Sequence, residues 1–160
     1  MNTDSNRPTL LILDDEEMVL TSLRNLFRLQ TNYEVASCTS AVQALDSARV
    51  KPFDLVISDY LMPEMDGITF LARLKELQPQ AVRILLTGYA DKENAIRAIN
   101  QVGLYQYIEK PWENAALLVI VKNGLERRQL IRELEEKIAE LAKVNTNLKS
   151  LQTALIRAFI

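Results

Sequence analysis

The 160-residue chain contains no histidine, and this absence narrows its chemistry before any motif is considered. Without histidine there is no Ser–His or Cys–His catalytic pair, and the commonest zinc ligand is missing. The single cysteine, Cys38, has no second thiol in the chain with which to form a disulfide. We interpret it as a small buried or half-buried residue in a reducing compartment. Any metal ion is therefore expected to be hard and held by oxygen ligands.

Long apolar runs and a secretory signal pattern are also missing. No stretch approaches the roughly 20 consecutive apolar residues that a membrane helix needs. The N-terminal region lacks a basic segment followed by an apolar one, so we expect a cytoplasmic protein. Apolar residues make up 48% and charged residues 25% of the chain, which excludes disorder as its main state. The net charge of −2 gives no indication of nucleic-acid binding.

Glycine and proline are few and unevenly placed. All four glycines and all five prolines lie at or before Gly124. Residues 1–125 carry a net charge of −4, whereas residues 126–160 carry a net charge of +2. Because composition and helix breakers change at the same point, we predict a domain at 1–125 and a separate helical segment at 126–160.

The first region alternates short apolar runs with segments of helical spacing. The predicted strands are 9–13, 33–37, 53–58, 82–86 and 104–108, and the predicted helices are 16–30, 40–48, 67–77, 92–101 and one opening at Glu113. Strands that alternate with helices predict a parallel sheet covered on both faces. We predict a doubly wound, flavodoxin-like α/β domain with five parallel strands in the order 2-1-3-4-5.

Polar side chains stand where the predicted strands end. Asp14 and Asp15 follow strand one, Asp59 follows strand three, Thr87 follows strand four and Lys110 follows strand five. The carboxyl ends of parallel strands meet at one edge of a sheet, so these groups should converge. Three crowded carboxylates favour a bound hard cation such as Mg²⁺. A carboxylate can also accept a phosphoryl group, whose oxygens Mg²⁺, the lysine and the hydroxyl would neutralise.

These residues lie in four ordered motifs. The motifs are Leu-Ile-Leu-Asp-Asp-Glu-Glu at 11–17, Asp-Leu-Val-Ile-Ser-Asp-Tyr-Leu-Met-Pro-Glu-Met-Asp-Gly at 54–67, Leu-Leu-Thr-Gly at 85–88 and Tyr-Ile-Glu-Lys-Pro at 107–111. Together they resemble the receiver domain of two-component response regulators, and the resemblance covers about residues 8–125.

The resemblance implies that Asp59 accepts a phosphoryl group from a histidine kinase or a phosphotransfer protein. It implies that Asp15 and Asp59 bind Mg²⁺ directly, that the backbone carbonyl of Leu61 is a further ligand, and that Asp14 acts largely through water. Leu61 and Tyr89 occupy the two variable positions that tune phosphoryl lifetime in this family. Their bulk predicts a long-lived phosphorylated state.

The same resemblance assigns roles to the remaining polar and aromatic residues near the strand ends. Lys110 would contact the phosphoryl group, and Thr87 would move to bind one of its oxygens. Tyr107 would move inward as a coupled switch, although an aromatic residue in a strand is also an ordinary core residue. The Lys110–Pro111 bond resembles the family's cis peptide. We interpret Trp112 as a packing residue.

The second region has the spacing of a coiled coil. If the helix from Glu113 runs to the end of the chain, it is about 70 Å long at 1.5 Å per residue. Its apolar seam alternates steps of three and four residues through Ile131, Leu134, Ile138, Leu141, Asn145, Leu148, Gln152, Leu155 and Phe159. An asparagine at such a position is typical of parallel two-stranded coiled coils, so we predict a parallel homodimer.

Two observations leave alternatives open for this region. A second seam overlaps the first through Leu141, Val144, Leu148, Leu151 and Leu155, so pairing in a shifted register is possible. A single amphipathic helix that packs on its own or on a missing domain would show a similar pattern.

The resulting prediction is a phosphorylation-dependent regulator whose only chemistry is self-catalysed phosphoryl transfer and autodephosphorylation. Its output domain is expected beyond this chain. Lys-Pro-Trp at 110–112 and Gly-Leu-Tyr-Gln-Tyr at 103–107 resemble receivers of HD-GYP-type cyclic-di-GMP phosphodiesterases, which we favour mildly, and some receivers of sigma-54-dependent activators. The alternatives are a Mg²⁺-dependent aspartyl-phosphate phosphatase or phosphotransferase, and a purely structural dimerisation module.

Overall fold

The structure, a computed structural model, describes residues 6–158 apart from the side chain of Tyr89. Phe159, predicted for the coiled-coil seam, lies outside the described residues. The five strands are β1 Thr9–Leu13, β2 Glu34–Cys38, β3 Leu55–Asp59, β4 Val82–Thr87 and β5 Gln106–Glu109. The α-helices are α1 Glu17–Gln30, α2 Ala41–Val50, α3 Gly67–Leu77, α4 Lys92–Gln101 and α5 Asn114–Ala158, and a 3-10 turn at Tyr89–Asp91 precedes α4.

The strands form one parallel sheet in the order β2-β1-β3-β4-β5. The predicted fold class and strand order are therefore confirmed. Every residue of β3 is buried, as a central strand covered on both faces requires. One core lies between the sheet and helices α2, α3 and α4, and the other lies between the sheet and helices α1 and α5.

Helix α3 begins where its sequence predicts. The Asp66 carboxylate accepts a hydrogen bond of 2.8 Å from the backbone N–H of Thr69 and thereby satisfies one of the free donors of the first turn. The Asp66 side chain also lies 3.1 Å from the hydroxyl of Thr69. This cap fixes the start of α3 immediately after the loop that leaves the carboxyl end of β3.

Contacts within the chain divide it into two compact units, Met1–Leu125 and Glu126–Ile160. The first unit contains the sheet and the start of α5, where Leu117, Val121 and Gly124 are buried. A Cβ at Gly124 would stand 3.1 Å from atoms of Tyr105 and Val82, so the absence of a side chain lets α5 lie close to the sheet. Helix α5 continues through Gly124.

The second unit is helical throughout its described part, and every described residue from 131 to 158 is exposed. All the predicted seam positions up to Leu155 therefore lie on one exposed helix. No helix within residues 6–158 is both long and apolar enough to cross a membrane.

Candidate functional site

Three carboxylates meet at the carboxyl ends of β1 and β3. Asp14 directly follows β1, and Asp59 is the last residue of β3. Asp14, Asp15 and Asp59 each offer an oxygen, and these three atoms lie within 4.8 Å of one another. Asp14 and Asp59 are buried and Asp15 is exposed, so the cluster opens to solvent on one side.

Lys110 joins this cluster from the loop after β5. Its Nζ lies 2.8 Å from Asp14 Oδ2 and 3.0 Å from Asp59 Oδ1. The backbone N–H of Lys110 donates to the carbonyl of Thr87 over 2.8 Å, which ties the lysine to the end of β4. Burial works to lower the pKa of Lys110, but hydrogen bonds and charge attraction from the two aspartates outweigh it, and the net pKa is raised. The ammonium form is therefore secured.

Asp59 is a poorly solvated carboxylate with one oxygen engaged. Burial raises the pKa of Asp59 and the charge of Asp14 adds to this, while the hydrogen bonds from Lys110 and the Tyr60 N–H act against it. Both of these donors lie on Oδ1, at 3.0 Å each. Within the described residues no donor lies on Oδ2. That oxygen is the one left for an electrophile or a cation.

Asp14 differs from Asp59 because both of its oxygens already have donors. Oδ1 accepts the backbone N–H of Glu16 over 2.9 Å, and Oδ2 accepts Lys110 Nζ. These contacts hold the carboxylate in a fixed orientation behind the more accessible oxygens of Asp15 and Asp59.

Thr87 supplies a buried hydroxyl at the end of β4. Its side chain is fully buried, yet Oγ1 has no hydrogen-bond partner among the residues that the structure describes. The register pairs Asp59 with Leu86, so Thr87 stands one residue beyond Asp59 on the neighbouring strand. A buried hydroxyl without a partner costs free energy, which makes this position notable.

Gly67 is a functional neighbour that sequence reasoning did not single out. An added Cβ would stand 2.1 Å from the backbone carbonyl oxygen of Asp59 and 2.8 Å from a methyl group of Leu85. The Gly67 N–H also donates to the carbonyl of Tyr60 over 2.7 Å. Only glycine lets α3 start this close to Asp59. The signal was a glycine at the first position of a predicted helix, where it is a poor helix former.

The other predicted site residues lie around this cluster. Leu61 is 62% exposed in the loop after β3. Tyr107 is half-buried, pairs with Leu85 across β4 and β5, and packs against the core under α3 and α4. The Lys110–Pro111 peptide bond is cis. The indole N–H of Trp112 donates to the Asn114 side chain over 3.1 Å.

Residues 10–122 match the family model of the response regulator receiver domain. The chain belongs to this family. The fold and the ordered motifs thus have a common explanation: residues 10–122 form a receiver domain of the kind that relays signals to an output domain. The family consists of regulators rather than catalytic enzymes as such, and its members interact with histidine kinases or phosphotransfer proteins and generally bind Mg²⁺ at an acidic pocket.

The chain is similar to individual bacterial regulators. It is 31% identical over 141 residues, 88% of this chain, to the hydrogenase transcriptional regulatory protein HoxA of Bradyrhizobium diazoefficiens, and 38% identical over 72% of this chain to the transcriptional regulatory protein ZraR of Escherichia coli K12. The aligned parts cover 29% and 26% of those proteins. The chain therefore spans less than a third of the length of these curated relatives.

A solved structure supports the same assignment. The signal receiver domain of an HD domain-containing protein from Pseudomonas fluorescens Pf-5 superposes with a TM-score of 0.72 at 37% identity. The match covers 77% of this chain and 98% of that one. A receiver domain similar to this one is thus found both in transcriptional regulatory proteins and in an HD domain-containing protein.

Proposed function

We propose that residues 1–125 act as a phosphoacceptor domain and that Asp59 is the residue phosphorylated. The observation that carries this proposal is the ion-paired cluster in which Lys110 Nζ lies 2.8 Å from Asp14 and 3.0 Å from Asp59. It leaves Asp59 Oδ2 without a donor in the described structure, at the edge where the exposed Asp15 opens the site.

The transfer reaction follows from these positions. Asp59 Oδ2 attacks the phosphorus of a phosphohistidine on the partner kinase or phosphotransfer protein. The new P–O bond forms as the P–N bond breaks, and the electron pair returns to the imidazole nitrogen. Lys110 stays protonated and offsets negative charge on the phosphoryl oxygens. The chain has no histidine of its own, so the donor must be supplied by the partner or by a small phosphorylated molecule.

The acidic cluster fits Mg²⁺. Three carboxylates against one ammonium leave excess negative charge, and all the available ligands are oxygens. Asp15, Asp59 and the Leu61 carbonyl would bind the ion directly, whereas Asp14, whose oxygens are both engaged, would act through water. The ion supplies charge neutralisation for the entering phosphoryl group.

Thr87 and Tyr107 are proposed to report the phosphorylated state. The buried, unpartnered Thr87 hydroxyl would donate to a phosphoryl oxygen and so gain the hydrogen bond that it lacks among the described residues. Tyr107 lies on the same face of the sheet, two residues before the strand position that pairs with Thr87. A shift of Thr87 towards Asp59 would open space into which the half-buried Tyr107 ring can move.

Residues 126–160 are proposed to form a parallel homodimer with the same segment of a second copy. The support is a seam of large apolar side chains that are between 38% and 67% exposed, at coiled-coil spacing. Most of the stability of an amphipathic helix comes from packing of its apolar face, and pairing buries that face. The second unit would thus carry the signal away from the receiver domain.

The output domain is proposed to regulate transcription, and the protein to act in the cytoplasm. The match to the hydrogenase transcriptional regulatory protein HoxA covers 141 residues of this chain, so at least 16 of them lie beyond residue 125. This similarity within the helix supports a transcriptional output, whereas residues 103–107 and 110–112 suggested a phosphodiesterase output. DNA contacts are expected from the output domain and not from this chain.

The test uses the only tryptophan of the chain, Trp112, two residues after Lys110. Acetyl phosphate with Mg²⁺ should add one phosphoryl group by intact mass and change the Trp112 fluorescence. Asp59→Ala should abolish both signals. Asp46→Ala, which removes an exposed carboxylate paired with Arg49 on α2, should abolish neither.

Full labelling of Asp59→Ala would contradict the assignment of Asp59. Sustained hydrolysis of a small phosphate ester over many turnovers would instead favour a phosphatase.

A further inference from the structure

Two seams for pairing overlap on the exposed helix at 126–158. Seam one contains Ile131, Leu134, Ile138, Leu141, Asn145, Leu148, Gln152 and Leu155. Seam two contains Leu141, Val144, Leu148, Leu151 and Leu155. The residues particular to seam two are as exposed as the shared ones, since Val144 is 52%, Leu151 60% and Leu148 57% exposed. The described structure thus does not cover either seam.

The two seams cannot be used together by one partner helix. In a coiled coil with 3.5 residues per turn, seam two is rotated from seam one by one wheel position, about 50°. Seam one places Asn145 and Gln152 at core positions, whereas seam two moves them to the flank and brings Val144 and Leu151 into the core. Leu141 belongs to both seams, so the change of register falls between Leu141 and Val144.

Each seam has a different disadvantage. Seam one is a continuous heptad from Ile131, but it buries two amide side chains per helix. Seam two is wholly apolar, but it joins Ile131–Leu141 only through two successive three-residue steps, a stammer that overwinds the supercoil locally. The residues of the two seams make neither pairing clearly more stable than the other. A helix that switches between two pairings requires such a balance.

The flanking residues identify a second copy of this chain as the partner. Each heptad has two core positions. In a parallel pair, the residue that immediately precedes the first core position of a heptad faces the other helix at the residue whose number is five higher. Pairing through seam two therefore sets Glu140 near an Asn145 and Asn147 near a Gln152, which are matched polar pairs. Pairing through seam one sets Leu151 near Ile156, an apolar pair, and Val144 near Lys149. This self-complementarity is what two identical parallel helices require.

We infer that the helix at 126–158 pairs with a second copy through either of two seams, with the changeover at Leu141–Val144, and that phosphorylation of the receiver domain selects between them. The inference rests on the proposed phosphoacceptance and homodimerisation. Helix α5 links the two parts covalently, since Leu117 and Val121 of the same helix are buried in the receiver unit. The selected seam sets the rotation of whatever follows the helix.

Disulfide trapping in the full chain tests this inference. Cys38→Ser removes the only native thiol, and Asn145→Cys or Val144→Cys then places one thiol in the core of seam one or seam two. Ser150→Cys is the control, because position 150 faces outward in both registers. Cross-linking is measured with Mg²⁺ alone and with Mg²⁺ plus beryllofluoride, a mimic of the phosphoryl group.

The expected result is a several-fold reversal in the relative cross-linking rates of Asn145→Cys and Val144→Cys when beryllofluoride is added. The reversal should vanish with Asp59→Ala. Asn145→Leu should fix pairing through seam one under both conditions, and Val144→Asn should do the same by weakening seam two. An unchanged ratio, rates no higher than those of Ser150→Cys, or a monomer by light scattering would overturn the inference.

Trp112 fluorescence in the same samples tests phosphoacceptance separately from the choice between the two seams. A beryllofluoride response with an unchanged cross-linking ratio would leave phosphoacceptance standing and reject the two-seam inference. Absence of the fluorescence response in the wild-type chain as well as in the Cys38→Ser background would reject the proposed phosphoacceptor function and the inference with it.

Discussion

The receiver unit buries its apolar residues, whereas the C-terminal helix exposes them. In the receiver unit two cores cover both faces of the sheet, and strands such as Leu55–Asp59 are fully buried. In the helix every described residue from 131 to 158 is exposed, including leucines and isoleucines at regular spacing. The receiver unit therefore finds its stabilising contacts within the chain, whereas we propose that the helix obtains them from a second copy.

This contrast separates two kinds of sensitivity to mutation. A change in the receiver unit should alter the free energy of unfolding, independently of protein concentration. A change in the helix seam should alter the dissociation constant of the dimer and leave the receiver unit folded. Each of the following pairs of variants tests one side of the contrast.

The largest effect is expected from Leu148→Asp, because Leu148 lies in both seams. Burying a leucine is worth about 1.5–3 kcal/mol, and the dimer would lose one in each helix, so the dissociation constant should rise more than about 100-fold. Ser150→Asp, on the outward side, should change it little. Analytical ultracentrifugation over a range of concentrations measures both. A Leu148→Asp dimer as tight as wild type would show that the seam does not pair.

Within the receiver unit, Gly67→Ala should be the most damaging of the small substitutions. The new Cβ would stand 2.1 Å from the Asp59 carbonyl oxygen, so α3 must move, at a cost of about 3 kcal/mol or more. Gly88→Ala is the matched control, since its Cβ would meet nothing closer than 3.7 Å. Urea unfolding gives both values. Equal stability of the two variants would contradict the close approach of α3 to Asp59.

Arg83→Met should follow in size. The buried guanidinium of Arg83 donates to the backbone carbonyls of four residues, Pro79, Ala81, Val102 and Gly103. Loss of these donors leaves carbonyl groups poorly satisfied, and we expect about 2–3 kcal/mol less stability. Arg73→Met, at an exposed position of α3, should cost less than about 0.5 kcal/mol. If the thermal unfolding midpoints of the two variants coincide, the Arg83 guanidinium does not stabilise the segments that carry these four carbonyl groups.

The smallest effect is expected at the helix caps. Asp66 accepts the Thr69 N–H over 2.8 Å, so Asp66→Ala should destabilise the receiver unit by about 1 kcal/mol. Ser40 caps α2 through a longer contact of 3.5 Å to the Gln43 N–H, so Ser40→Ala should cost less. The order of the two costs in urea unfolding is the measurement, and the reverse order would count against the cap geometry.

Apolar patterning predicted the bounds of several elements correctly. The strand Thr9–Leu13 and the helices Gly67–Leu77 and Lys92–Gln101 have the predicted bounds. The start of β5 was predicted at Leu104 but lies at Gln106, because Leu104 is buried next to the left-handed turn at Gly103 rather than in the ladder.

The start of β3 shows the same effect. Phe53 is buried and was predicted as strand, but its N–H donates to the side chain of Gln78 over 2.8 Å, and β3 begins at Leu55. An apolar residue indicates burial, and burial does not by itself place a residue in a strand.

At the candidate site, strand ends predicted which side chains meet, because parallel topology alone brings them to one edge. Asp14, Asp59 and Lys110 do lie within hydrogen-bonding distance. The close approach of Gly67 to Asp59 was not predictable, since it depends on the angle at which α3 meets the sheet. The missing partner of the Thr87 hydroxyl was likewise visible only after packing had buried it.

Hydrogen exchange of the full chain over a dilution series tests the contrast most directly. We predict that amides of β1, β3 and β4 stay protected at every concentration, and that amides between 131 and 158 lose protection as dimers dissociate. Leu148→Asp should show the unprotected helix at all concentrations. Protection of the helix that persists unchanged in a monomer would contradict the account, because the helix would then not depend on a second copy.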